Sequence, residues 1–374
     1  DIKRDPDTIP RGVDIQSIAM KISKDLNAAQ KKYVYRNYDQ FVKGNSVVIP
    51  GEADACVLAP IKNCSAGVAV TIDSNTYGNT DPYTSGAYAV AEAIRNIIAV
   101  GAEPIALTDC LNYGSPENPS VFFDFQEGVR GIGDAAKSLG TKDAVIPIIS
   151  GNVSFYNESK TGQAIVPSPV ICCIGKMPVA DDAHRMQLSQ TDAKIIVVGD
   201  PKAQFCDTLF ASMVDQSFET APQVNFNLER AMNKAVLAAN QQQLTNAVHD
   251  ISQGGIWQAI VEMIGGDRNY PFVGVDLNIP KQLDALTVLF SESGGYVCEV
   301  LVQHYEKFQQ ICQDFNAPMF ELGTTTSDLD IKVNHGNKPI FSVAVNDCLI
   351  QWNKKNSETP GTPIYNQSVI KNNG

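Results

Sequence analysis

No stretch of about 18 consecutive apolar residues occurs in this chain of 374 residues, which gives no candidate for an apolar membrane-spanning helix. Its first ten residues, DIKRDPDTIP, lack the apolar core of a signal peptide. The expectation is a soluble, cytoplasmic protein. An initiator methionine is also lacking, so the chain reads as a piece of something longer. Missing too are the Gx4GK[ST] loop of P-loop proteins, the GxGxxG spacing of dinucleotide folds and any local signature of a Ser/His/Asp or Cys/His triad. Nine cysteines form no CxxC pair, and their odd number favours free thiols in a reducing compartment over a disulfide framework or a zinc site. Positive charge is scarce. Lys and Arg number 29 against 41 Asp and Glu, a net charge of −12. A field of that sign disfavours nucleic acid and anionic membranes as partners, so any phosphate must be held by local amides, polar side chains and bridging cations.

What is present centres on Asp81 to Glu117, DPYTSGAYAVAEAIRNIIAVGAEPIALTDCLNYGSPE. Asp81-Pro82 and Ser85-Gly86 supply turn and helix-start chemistry. Ala87 to Val100 predicts a helix of almost wholly apolar or small residues, interrupted by Glu92, Arg95 and Asn96. Glu92 and Asn96 stand four apart and so share one helix face. A carboxylate in so apolar a helix needs a cation or donors to offset its desolvation. The short strand Pro104 to Thr108 then delivers Asp109, Asn112 and Gly114 at its end, where carboxylates and carboxamides can meet Mg²⁺ or phosphates or simply form a turn.

Elsewhere the chain alternates strands with helices, an α/β (α+β) pattern of two domains. Residues 1–45 read as a linker and lead helix, 46–177 as a first domain, 178–352 as a second and 353–374 as a polar tail. The strand VAVTID ends on Asp73, and Val121 to Leu139 has helical periodicity. After the apolar run AVIPIIS comes a polar loop, Gly151 to Glu158, either a binding loop or plain surface. In the second domain, His249-Asp250-x-Ser252-x-Gly254-Gly255 opens a helix at a glycine-rich N-terminus of the kind that suits an anion, with His249 as a packed or hydrogen-bonded neighbour. Residue chemistry alone thus gives a Mg–nucleotide or phosphate cleft and no named reaction.

Three long motifs in register, DPYTSGAYAVAEAIRNIIAVGAEPIALTDCLNYGSPENP, SGNVSFYNES and HDISQGGIWQAIVEM, resemble the second of two homologous halves of the phosphoribosylformylglycinamidine synthase family. YVYRNYDQFVKGNSVVIPGEADACVL looks like the start of that half. The resemblance implies an aminoimidazole ribonucleotide synthetase-like fold, whose A domain contributes a sheet to a central barrel and whose B domain flanks it. It implies ATP-dependent amidination of formylglycinamide ribonucleotide in purine synthesis: ATP activates the amide oxygen as an iminophosphate, and ammonia from a glutaminase component displaces phosphate. By resemblance, Asp109 and Gly151 contact ATP, Asn152 holds Mg²⁺ and Ser154 touches the substrate, in a site shared with the first half. Asp54, Glu92, Asn96 and Asp250 match ligands of Mg²⁺ at a second site, where Ser252 matches a contact to a structural nucleotide. Gln253 stands where the family usually has Asp, and Gly295 or Tyr296 where it often has Arg, and either departure bears on that second site. Alternatives are a nucleotide-holding scaffold, or a stand-alone homodimer like aminoimidazole ribonucleotide or selenophosphate synthetase. Expected partners are the first half and the glutaminase, or a second copy through the A-domain sheet; turnover by the chain alone is not expected.

Overall fold

The structure is a computed structural model that describes residues 7–142, 144–266 and 273–354. The expected polar tail lies, beyond residue 354, outside the described residues. The lead helix α1 (Ile15–Lys24) starts at Asp14, whose side chain accepts from Ser17 N. A short α2 (Lys32–Tyr35) follows. Strands β1 (Ser46–Val48), β2 (Cys56–Leu58) and β3 (Gly67–Asp73) lead to α3 (Pro82–Ala99), β4 (Glu103–Asn112), α4 (Pro119–Ser138), β5 (Ile148–Ser154) and β6 (Ser168–Met177). The six strands form one sheet in the order β1-β2-β3-β6-β4-β5. Its ladders are antiparallel except β4–β5, which is parallel.

Helix α3 is held by its sequence at both ends. Asp81 caps it by accepting from Thr84 N at 3.1 Å, and Pro82 sits at the first turn, where its missing N–H leaves no helical bond unmade. It stops at Val100-Gly101, the glycine having φ +86°. Nearly every residue between is buried, because α4 covers one side, the sheet another and the second half of the chain a third. The approach of α4 is very close. A Cβ on Gly86 would lie 2.2 Å from Gly128 O, and one on Gly131 would lie 2.1 Å from Tyr83 O.

The second sheet gathers β7 (Lys194–Val198), β8 (Ala247–Asp250), β9 (Gly274–Ile279), β10 (Tyr296–Val300), β11 (Met319–Thr326), β12 (Asp330–His335) and β13 (Lys338–Ala344). Their order is β13-β12-β9-β11-β7-β10-β8, antiparallel except for β12–β9. Around it lie α5 (Leu209–Met213), α6 (Phe226–Gln241), α7 (Gly255–Gly265), α8 (Ala285–Phe290), α9 (Val302–Asp314) and α10 (Val345–Trp352). The lead helix is a packed member of this layer: α1 touches α5, α7 and α10, and Trp257 Nε1 donates to Ala19 O at 2.8 Å and to Ser23 Oγ at 2.9 Å.

One apolar core runs without a break from the first sheet into the second. It joins Ala69, Val90, Ile94 and Ile97 to Ile196, Val198, Met232, Val236 and Val248. The opposite face of the first sheet has no cover among the described residues. Val70 and Ile174, then Ile72 and Cys172, pair across β3 and β6 on that face, and Ile72 is 67% exposed. The edge strand β5 is open along almost its whole length, Ile149 and Val153 included.

Candidate functional site

Two groups of polar side chains stand out, at different places on the first sheet. The first lies on the β4–β5 ladder, whose register pairs Asp109 with Gly151, Cys110 with Asn152 and Asn112 with Ser154. The polar run at 151–154 is therefore strand, where the sequence suggested loop. Alternation along a strand then divides the four expected residues between two faces. Asp109 and Gly151 share the core-facing side with Ile171, whereas Asn152 shares the open side with Cys110, its Nδ2 lying 3.4 Å from the thiol sulfur. A Cβ on Gly151 would lie 2.3 Å from Asp109 Oδ1, so glycine is what lets this carboxylate rest against the β5 backbone. Burial pushes the Asp109 carboxyl above its usual range. Ser154 ends the strand, and Asn157 braces the turn beyond it by donating to the carbonyls of Tyr113 (3.1 Å) and Ser154 (2.8 Å).

The second group forms where β3, α3 and β8 meet the turn between β1 and β2. Asp54, in that turn, accepts from Asp250 N at 3.0 Å and pairs through its other oxygen with His249 Nδ1. His249 Nε2 lies 3.0 Å from Glu262 Oε2, so its ring is held at both nitrogens. Ligand atoms of Asp54, His249 and Asp250 all lie within 4.8 Å of one another. Asn96 donates to Asp73 Oδ1 at 3.0 Å, and Thr71 donates to Asp73 Oδ2 at 3.2 Å. Glu92 joins them through charge, since Asp73 and Asp250 both act on it. Ser252 Oγ is 3.5 Å from Asp250 Oδ1.

Arg95 lies in the midst of these carboxylates and is fully buried. Its guanidinium is 3.0 Å from Glu229 Oε1 and 3.6 Å from Asp250 Oδ2, and it rests over the Tyr88 ring. One arginine does not balance the group. Burial, then the charges of Asp73 and Asp250, push Glu92 well above the ordinary carboxylate range. Burial likewise pushes Asp73 up to about 6, and burial with the Asp54 charge pushes Asp250 up to about 7. Burial opposes a charge on His249, but Asp54 and Glu262 outweigh it and raise its pKa well above the usual value. Asn96 Oδ1 and Asp250 Oδ2 are buried acceptors without a hydrogen-bond partner. Surplus carboxylates and orphaned oxygens are the donor set that a hard divalent cation accepts.

Glu92 and Asn96 were readable from their spacing in an apolar helix. Asp73, Arg95, Glu229 and Glu292 were not assigned from sequence; the signals available were a strand-end Asp, an Arg beside Glu92 and the Glu of FSES.

A family model described as AIR synthase related protein, N-terminal domain, matches residues 52–177, and its C-terminal counterpart matches 190–336. The chain belongs to the AIR synthase related family. Within that family it is similar to phosphoribosylformylglycinamidine synthase subunit PurL of Methanothrix thermoacetophila, 37% identical over 345 residues, which are 91% of this chain and 44% of that one. The same subunit of Alkaliphilus metalliredigens is 35% identical over 338 residues, 89% of this chain and 44% of its own. The chain thus spans less than half the length of these relatives. In three dimensions, Thermotoga maritima PurL complexed with FGAR superposes with a TM-score of 0.70 at 19% identity, over 91% of this chain and 54% of that one, which shows the shared fold. No helix among the described residues is long and apolar enough to cross a membrane.

Proposed function

We propose that the chain is the second half of a phosphoribosylformylglycinamidine synthase, which converts formylglycinamide ribonucleotide (FGAR) to formylglycinamidine ribonucleotide with ATP, Mg²⁺ and ammonia from a glutaminase component. One observation carries the reading. The uncovered apolar face of the first sheet adjoins Asn152 and Ser154, so those side chains belong to a site that another sheet must complete. The PurL likeness supplies the reaction, and T. maritima PurL has been solved with FGAR, with ATP and with ADP.

In this reading Asp109 and Gly151 contact ATP, Asn152 holds Mg²⁺ and Ser154 contacts substrate. Because β5 is the edge of the sheet, a ligand laid along it meets residues of both faces. Mg²⁺, when bound, neutralises phosphate charge in a chain that is itself strongly negative. At the second group, Asp54, Glu92, Asn96 and Asp250 would hold a divalent cation. The cytoplasm, where purine synthesis draws on ATP, is the compartment this reading implies.

The test is phosphate release from ATP, FGAR, Mg²⁺ and ammonia, with this chain alone and with the remaining portion of a synthase added. Turnover is expected only in the mixture, since acid and base groups of the other half are needed. Turnover by the chain alone would overturn the half-enzyme reading.

A second reading has one observation in its favour. A chain of the HypE–HypF complex, 96% of which is covered by 84% of this chain, has the same fold with a TM-score of 0.56 at 14% identity. A polypeptide of this size can therefore be a whole member of the fold, and two copies would then complete each other's sites.

A further inference from the structure

The resemblance leads one to expect both a cation and a nucleotide at the second group, with phosphate at the start of α7. The cation half of that expectation fits. Asn96 is 6% exposed and Asp250 4%, and each keeps one acceptor oxygen without a hydrogen bond, Asp250 Oδ2 having the Arg95 guanidinium at 3.6 Å, among carboxylates that repel one another.

The phosphate half does not fit. An anion at a helix N-terminus needs N–H groups that are free to turn toward it. Here Gly254 N, at the N-cap of α7, donates to Glu292 Oε1 at 2.9 Å. Leu209 N, which opens α5, donates to the same oxygen at 2.9 Å, and the Tyr77 hydroxyl donates to Oε2 at 2.7 Å. The Tyr88 hydroxyl donates to the Glu292 carbonyl, which fixes the backbone that carries the carboxylate. Glu292 is 1% exposed. Three donors converging on one carboxylate make a seat for an anion, and the chain itself supplies the anion.

Nor is a cation left over for phosphate. Among the described residues Arg95 is the only buried Arg or Lys, and Glu229 and Asp250 already engage it. Gly294, with φ +80°, closes on it so tightly that a Cβ there would lie 2.8 Å from the guanidinium. A polyphosphate entering this group would face Glu92, Asp73 and Asp250 with no second buried Arg or Lys among the described residues to receive it.

We propose that Glu292 is a built-in anion that fills the phosphate place at the start of α7, so that this group takes a bare divalent cation and excludes nucleotide. The proposal rests on the reading of Asp54, Glu92, Asn96 and Asp250 as cation ligands, and its test needs neither FGAR nor turnover, so the synthase reading can fail without it.

The experiment is calorimetric titration at pH 8, where Glu292, which burial pushes up to about 7, is ionised. Mg²⁺ titrated into the chain without nucleotide should bind, and Glu92→Gln should weaken that binding at least tenfold. The Mg²⁺ binding that Glu92→Gln weakens should have the same affinity with and without ADP, because linkage is reciprocal: a nucleotide sharing the site must tighten the metal as the metal tightens it. ADP titrated at saturating Mg²⁺ should behave identically in wild type and Glu92→Gln. Absence of Mg²⁺ binding would overturn the bare-cation site, and Glu92-dependent ADP binding in the wild type would overturn the exclusion. Glu292→Ala, folded by circular dichroism, should gain Mg²⁺-dependent ADP binding; a folded variant that gains none overturns the role of Glu292. If that variant does not fold, the wild-type and Glu92→Gln titrations still decide.

Discussion

At Glu292 two forces act on one proton. Burial favours the neutral acid and lifts the pKa to about 7, while Gly254 N, Leu209 N and the Tyr77 hydroxyl favour the ion. A carboxyl whose folded pKa exceeds its unfolded value of about 4.3 contributes stability that is complete at low pH and is lost as pH rises through about 7. Its share between pH 4 and 8 is on the order of 3 kcal/mol, since each pKa unit corresponds to about 1.4 kcal/mol. Glu292→Gln keeps an acceptor for both N–H groups but does not titrate. Urea denaturation of the two proteins from pH 5 to 8 should show the variant behind at pH 5, by about 1 kcal/mol for the imperfectly replaced Tyr77 bond, and level or ahead at pH 8. A constant difference across that range would mean that the carboxylate does not titrate there. The same residue shows why only part of the site was legible. Glu92 and Asn96 share a face because the helical period is local, and four residues suffice to see it. Tyr77 and Glu292 are 215 residues apart and Asp54 and Asp250 are 196, so their meeting depends on two sheets docking and leaves no mark in either local stretch.

Among the elements, the α3–α4 pair depends on glycines where other helices use side chains. Gly131→Ala would gain about 1 kcal/mol of helix propensity, yet its Cβ meets a backbone oxygen of α3, which cannot rotate away. Overpacking of that kind costs about 1–3 kcal/mol, so a net loss of up to about 2 kcal/mol is expected in denaturant unfolding. Gly133→Ala, with nothing within 4 Å of its Cβ, is the control and should be neutral or slightly stabilising. Helix α4 was readable from periodicity, because one face of it is apolar, and α3 from its almost unbroken run of apolar and small residues. Residues 151–154 were misread as loop for a physical reason. Gly, Asn and Ser are poor strand formers, and the parallel ladder with β4, joined from 42 residues away, keeps them extended. The amphipathic pattern of α1 was visible, but an apolar stripe does not say which layer it will join.

For the whole molecule, the open face of the first sheet is the dominant exposed feature. Leu58 and Ile72 are exposed on that face and Ile149 and Val153 along the edge strand beside it, a surface that single chains rarely leave to water. If no other half is present, two copies should pair there, and light scattering at micromolar concentration should give twice the mass of one chain. The attraction is apolar, so it should survive 0.5 M salt, which also screens the repulsion of two chains of charge −12. A monomer under both conditions would argue against pairing through this face. The unbroken core between the sheets, with Arg95 of α3 reaching Glu229 of α6 and Asp250 of β8, bears on how the molecule comes apart. The shared core couples the sheets, because Val90 and Ile97 lose their cover as Val198 and Val236 lose theirs, and the second sheet keeps a further interior on its other face around Val197, Trp257 and Ile260. Heating should therefore give one calorimetric peak whose measured enthalpy equals the van't Hoff enthalpy, and a nick between residues 178 and 192 should yield fragments that stay together until both unfold.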